Sequence, residues 1–387
     1  MATATAPATA VRTRVSSVPW YIWCAVLAVT SAMIGGHWDI SWHSSIGRDS
    51  FWTPAHVAIY LCGLLAGVAF GYIILSTSFS KSSPLAESSV HIWGSRAPLG
   101  AFIASWGGIV MLASAPFDNW WHAAYGLDVK IVSPPHMMLF VGVYGVQLGT
   151  LALIAGHINR SSGKAKEICR WLFLYVAGVV LVLTMVVLME YTSRAFLHGS
   201  LPYILTSGVT PIILAFGWRA TRFRFAATFI AGFYTLFLIG LILILPLFPA
   251  QPKLGPVYQP VTQFIPPQFP ILIIVPAFAL DLLWQHTTGW KAWKVAALSG
   301  MIFVALLLAT EWPFASFLMT PAARNRFFGT MYLWYQLPST SYTAQNRFYV
   351  TETAGEFWQG ILIACGFCML AVRWGMSRGE WFRQVQR

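Results

Sequence analysis

Charge is what this chain has least of. Only 9% of its 387 residues are Asp, Glu, Lys or Arg, against 57% hydrophobic and 16% aromatic, and the mean hydropathy is +0.64. That balance excludes a soluble globular domain and places the chain among polytopic membrane proteins. Acids are scarcer than bases, 12 against 24, which leaves a net charge of +12. In a soluble protein such an excess points to nucleic acid. In a chain this apolar it belongs to basic cytoplasmic loops, so nucleic-acid binding is excluded. Cysteine is also sparse. Four of Cys24, Cys62, Cys169, Cys365 and Cys368 fall in apolar runs, which argues against a disulfide framework. Cys365-Gly-Phe-Cys368 has CxxC spacing without supporting ligands and reads as buried small residues. No motif identifies a nucleotide or quinone site.

What is present is apolar sequence in long runs. Runs near 19–36, 56–78, 98–115, 135–157, 171–190, 201–218, 225–248, 268–285, 294–312 and 357–374 predict about ten transmembrane helices, since a span needs about 20 apolar residues. The expected fold is an all-α polytopic bundle. Residues 1–18, Ala/Thr-rich with Arg12 and Arg14, read as a disordered cytoplasmic leader before a retained first helix. Lys and Arg concentrate in alternate loops. This orients the chain in a bacterial inner membrane with both termini cytoplasmic. Residues 158–387 supply further helices, with a Pro-rich outer stretch at 248–270 and a long outer loop at about 313–356 that folds over the mouth of the bundle.

The scarce polar residues are not scattered. Asp39-x3-His43-x3-Gly47-x-Asp49, followed by Pro54-Ala-His56, recurs as Asp118-x3-His122-x3-Gly126-x-Asp128, followed by Pro135-His136. The two copies imply a duplicated two-helix unit, about 20–78 and 98–157, within a segment spanning 19–157. The topology puts both motifs on the outer face. Asp and His four apart share one face of a helical turn, and a second His arrives from the start of the next helix, where a first-turn proline is tolerated. Two ligands from one turn and a third from a neighbour suit an Asp/His/His metal site with open positions. Imidazole with carboxylate suits Cu, Zn, Fe or Ni. The same spacing also describes a hydrogen-bonded pair that fixes a helix end.

Asp49 and Asp128 are expected to orient a ligating imidazole or to cap the following helix. His37 lies beside the first motif, but its counterpart position in the second copy is Pro116. Trp42 and Trp121 suit an interfacial aromatic belt. Glu190 and Glu311 are intramembrane carboxylates and so candidates for proton movement, whereas Asp281 reads as solvated at a helix end. His198 falls on the outer side; His91, His157 and His286 fall on the cytoplasmic side.

At these residues the chain resembles the C subunit of the copper-dependent membrane monooxygenases, which oxidise methane, ammonia and short alkanes. The first copy carries the likeness best: Asp39-x-x-Trp42-His43, Arg48-Asp49, then Thr53-Pro54-Ala-His56. The resemblance implies copper at Asp39, His43 and His56. It implies a second copper at Asp118, His122 and His136, with Asp118 standing where the family has Asn. It also implies assembly with A- and B-like subunits in a trimer, and O2-dependent hydroxylation of a small apolar substrate. The likeness covers residues 20–157 only, and no cupredoxin-like domain is present. Two further readings stay open: a non-enzymatic membrane protein that stores or delivers copper, and a haem protein with histidine axial ligands.

Overall fold

A computed structural model describes residues 17–47, 49–80, 83, 85–126, 131–193, 196–253, 261–332, 342 and 352–385. Among the described residues the chain forms ten α-helices and one two-stranded hairpin. The helices are α1 (Trp20–Ser45), α2 (Pro54–Phe79), α3 (Leu99–Tyr125), α4 (Pro134–Arg160), α5 (Gly163–Thr192), α6 (Leu201–Thr221), α7 (Ala226–Ile244), α8 (Ile274–Gln285), α9 (Ala292–Leu318) and α10 (Ala354–Phe382). Strands β1 (Val90–Ile92) and β2 (Ser95–Ala97) pair antiparallel between α2 and α3.

Nine of the ten helices are long and apolar enough to cross a membrane, so the chain is an all-α, multi-pass membrane protein. The exception is α8. Its 12 residues reach about 18 Å, short of the roughly 30 Å hydrocarbon core. The run at 268–285, read from hydropathy as a full span, is therefore about one third non-helical chain and two thirds helix. Backbone at that depth needs internal partners, and it has them. The Glu311 carboxylate accepts from the Leu272 amide, and the Tyr234 hydroxyl accepts from the Ile271 amide.

Helices α1 and α2 pack as one antiparallel pair, α3 and α4 as another, and the pairs touch through α1–α4 and α2–α3. Helix α5 then joins these four to α6 and α7, and α10 packs along α6 and α9. The main buried core runs from Tyr21 to Met376, so the duplicated unit and the later helices share one interior, with two small satellite clusters around Leu318 and Phe264. Large apolar side chains such as Leu27, Leu64, Leu236 and Leu362 remain exposed on the outside, where lipid would meet them.

Helix ends lie farther along than hydropathy predicts. α1 continues past Gly36 to Ser45, and α3 runs through Pro116 to Tyr125. The polar turns that carry the motifs are thus helical extensions of the spans. At 26 residues, α1 is about 39 Å long, so its last turns extend the helix past the apolar run. The expected outer loop at 313–356 is shortened by α9, which ends at Leu318, and residues 333–341 and 343–351 lie outside the described residues.

Candidate metal centre

The repeated glycine explains how each motif turns. Gly47 and Gly126 follow the helix ends with φ of 83° and 86°, a left-handed conformation that a Cβ would oppose. Each releases the chain from its helix so that it can enter the next one through proline. Pro54 starts α2, and Pro134 starts α4 behind Ser133, whose hydroxyl accepts from the His136 amide. The first turns of α2 and α4 are thereby brought beside the last turns of α1 and α3.

In the first cluster, His56 Nε2 lies 3.2 Å from Asp39 Oδ1 and 3.2 Å from Asp49 Oδ2. His43 Nε2 lies 3.7 Å from Asp39 Oδ2 and 3.5 Å from Asp49 Oδ2. Asp39, Asp49 and His56 each bring one ligand atom within 4.8 Å of the others. In the second cluster, Asp118, His122 and His136 do the same. Asp118 Oδ2 stands 3.4 Å from His122 Nε2, and Oδ1 stands 3.5 Å from His136 Nε2. All six residues singled out by the repeat therefore converge as two clusters. Asp49 goes further than the orienting or capping role expected of it. Its carboxylate meets both Nε2 atoms directly, while Thr53 occupies the N-cap of α2. Asp128 lies outside the described residues.

Proton placement decides what the first cluster can hold. His56 Nδ1 faces the Ser50 carbonyl at 3.0 Å. A carbonyl only accepts, so Nδ1 carries the hydrogen and a neutral ring presents a lone pair at Nε2. That nitrogen lies 3.2 Å from each of two carboxylate oxygens. Lone pairs facing one another at about 3 Å require a cation between them, either a metal ion or a proton on Nε2. The second cluster has the same logic, with His122 Nδ1 and the Gly126 carbonyl 3.4 Å apart. Asp39 Oδ1 and Asp118 Oδ1 are buried and accept no hydrogen bond among the described residues. Such orphaned anionic oxygens fit a bound cation. The hydrogen bond with His43 holds the Asp49 carboxyl below the usual carboxylate range. Partial burial pushes the other way, and the charges on His43, His56 and His122 add to the lowering.

The two clusters share a cavity. Asp39 and His56 from the first cluster and Asp118 and His136 from the second line one space of about 100 Å³. Its other walls are mostly apolar, with Ile59, Ala115, Leu139, Phe140 and Val186. Tyr60, one turn along α2 from His56, lines it too, with its ring centroid 6.1 Å from that imidazole. Sequence reading missed Tyr60 because one tyrosine among 14 carries no signal by itself; its i,i+4 spacing from His56 was the available hint. The Glu190 carboxylate accepts from the Ile131 amide at 2.9 Å and so fixes another part of the wall.

The remaining polar candidates have structural partners. Asp281 is fully buried rather than solvated, because its carboxylate caps the start of α7 through the Ala227 and Thr228 amides. Glu311 secures the break before α8. His157 bonds Tyr21 and the Leu153 carbonyl, and His198 bonds Ser316. Trp42 packs on Phe264, and Trp121 on Tyr125. All five cysteines are free, and among the described residues none joins a metal-ligand group. Against known proteins, no family model, no curated protein and no solved structure matches the chain.

Proposed function

We propose that this membrane protein binds copper at two centres, Asp39/His43/Asp49/His56 and Asp118/His122/His136, and oxidises a small apolar molecule with O2 in the cavity between them. The observation that carries this reading is the shared cavity. Two carboxylate–imidazole clusters open onto one apolar space of about 100 Å³, room for a few small-molecule atoms and little more. Imidazole and carboxylate donors fit copper, and the orphaned Asp39 and Asp118 oxygens fit a cation.

Bound there, copper supplies one-electron and O2 chemistry that no side chain can provide. The chain's own residues do the rest. The Ser50 carbonyl holds the His56 ring with Nε2 turned inward. Ile59, Leu139, Phe140 and Val186 exclude water and admit an apolar substrate arriving through lipid. Tyr60 supplies the hydroxyl-bearing wall. In this reading the chain resembles a monooxygenase C subunit. It would work in a bacterial inner membrane with its centres outward, alongside A- and B-like partners.

The test is oxidation of short alkanes or ammonia by membranes carrying the chain, supplied with O2 and a reductant. Activity should require both additions and should disappear in His43→Ala and in His122→Ala. Unchanged activity in both variants would overturn the proposal.

A further inference from the structure

A second cavity, of about 70 Å³, adjoins the shared one along a neighbouring face of α1. Ile40 and Val186 line both, so one layer of side chains separates them. Into this second space α1 contributes His37, and α5 contributes Met185 and Met189. His37 is buried, only 7% exposed. Its Nδ1 lies 2.9 Å from the Met33 carbonyl, which fixes the hydrogen on Nδ1 and leaves Nε2 with its lone pair. Among the described residues Nε2 has no hydrogen-bond partner. A buried imidazole nitrogen without a proton or a donor is an unused ligand. Met185 and Met189 are four apart, so their side chains lie on one face of α5.

The roof over this cavity is built and fastened. Pro266 and Pro267 cross it, and the strap is pinned at Ile265. The Ile265 carbonyl accepts from the Ser41 hydroxyl, and its amide donates to the Ser45 hydroxyl at 2.7 Å. Among the described residues no carboxylate lines the space. A neutral imidazole with two thioethers and no anionic oxygen is a soft, uncharged donor set. It discriminates against Zn, Mg and Cu(II) in favour of monovalent copper.

We propose that His37, Met185 and Met189 form a third metal site, selective for Cu(I), which holds the ion one side-chain layer from the paired centres and supplies them. Binding at this site follows from its own donors; only the supply role rests on the copper reading of the paired centres. His37 and Asp39 are two residues apart on α1, which places donors of the two kinds on either side of Ile40.

The test is copper K-edge X-ray absorption on the full-length protein in detergent, loaded anaerobically with Cu(I) against a competing Cu(I) chelator. Wild type should show sulfur scatterers, and so should His43→Ala/His122→Ala, because the thioether site does not depend on the paired centres. Met185→Leu/Met189→Leu should lose the sulfur shell and about one Cu(I) equivalent while keeping nitrogen-bound copper. Leucine nearly conserves methionine's volume, so the fold should tolerate it, and the retained nitrogen-bound copper reports that it does. His37→Leu, on the opposite wall, should lose the same equivalent. Sulfur absent from wild type, or persisting in the double methionine variant, would overturn the proposal. Nitrogen-bound copper missing from wild type while sulfur-bound copper remains would instead count against the paired centres alone.

Discussion

His56 Nε2 and Asp39 Oδ1 stand 3.2 Å apart although they belong to different helices, and the Ser50 carbonyl behind the ring leaves no hydrogen on that nitrogen unless the imidazole is charged. The contact is held by the approach of α1 to α2. A Cβ on Gly35 would lie 2.8 Å from the Ala55 carbonyl oxygen and from Ile59. Gly35→Ala should therefore push the two helices apart just below the cluster. The expected cost is about 1–3 kcal/mol of stability. Metal affinity should fall at the first centre and stay unchanged at the second. Metal titration of Gly35→Ala beside His136→Ala checks this; equal losses at both centres would contradict it.

Asp49 lends a pH signature to the first cluster. Its folded-state carboxyl titrates below the usual carboxylate range, so it stabilises the fold above the unfolded value and that contribution is lost as pH falls through the folded one. Asp49→Asn should destabilise the metal-free protein near neutral pH by on the order of 1–3 kcal/mol, and the gap to wild type should close in acid. Thermal unfolding of both proteins from neutral pH into the acid range measures the gap. A gap that widens in acid would contradict the assignment.

Two carboxylates inside the bundle are anchors for backbone amides. Glu311→Gln keeps a carbonyl oxygen for the Leu272 amide and should leave the fold and the metal centres intact. Glu311→Ala strands that amide away from water and should lower stability by about 1–3 kcal/mol. Asp281→Asn should cost more than the glutamine variant, because both Asp281 oxygens accept backbone amides and the new NH2 would face one of those donors. Loss of function in Glu311→Gln with wild-type stability and metal content would restore a proton-carrying role.

The shared cavity can be filled without touching a ligand. Ala115 lines it, and Ala115→Phe should occupy much of its volume. Copper content should stay at the wild-type level while substrate oxidation falls at least tenfold, by about 1.4 kcal/mol or more in barrier terms. Unchanged turnover would place the reaction elsewhere.

Composition made the core of the site legible. With 12 acids and 9 histidines in the whole chain, a repeated Asp-x3-His with a later His stands out, and all six of those residues converge. Ten helices were legible from apolar runs, but their ends were not. Hydropathy falls at Gly36 and Ala115, where the helices carry on because their polar last turns face each other and the cavity. The shortness of α8 was hidden too, because an extended apolar segment and an apolar helix have the same hydropathy. Asp49 was underrated as a contact because its path depends on the turn that Gly47 makes. The His37–Met185–Met189 grouping was out of reach, since it joins residues about 150 positions apart with no repeat to flag them.

The proposed chemistry depends on copper at the repeated motif. Metal analysis with EPR on detergent-purified protein, wild type beside His43→Ala and His122→Ala, tests it most directly. The expected result is nitrogen-ligated Cu(II) at both paired centres, with each variant losing its own signal and about one equivalent of copper. Copper absent from wild type, or unchanged in both variants, would contradict copper at these centres and would mean that the carboxylate–imidazole clusters hold another metal or are closed by protons, with the motif joining helix ends.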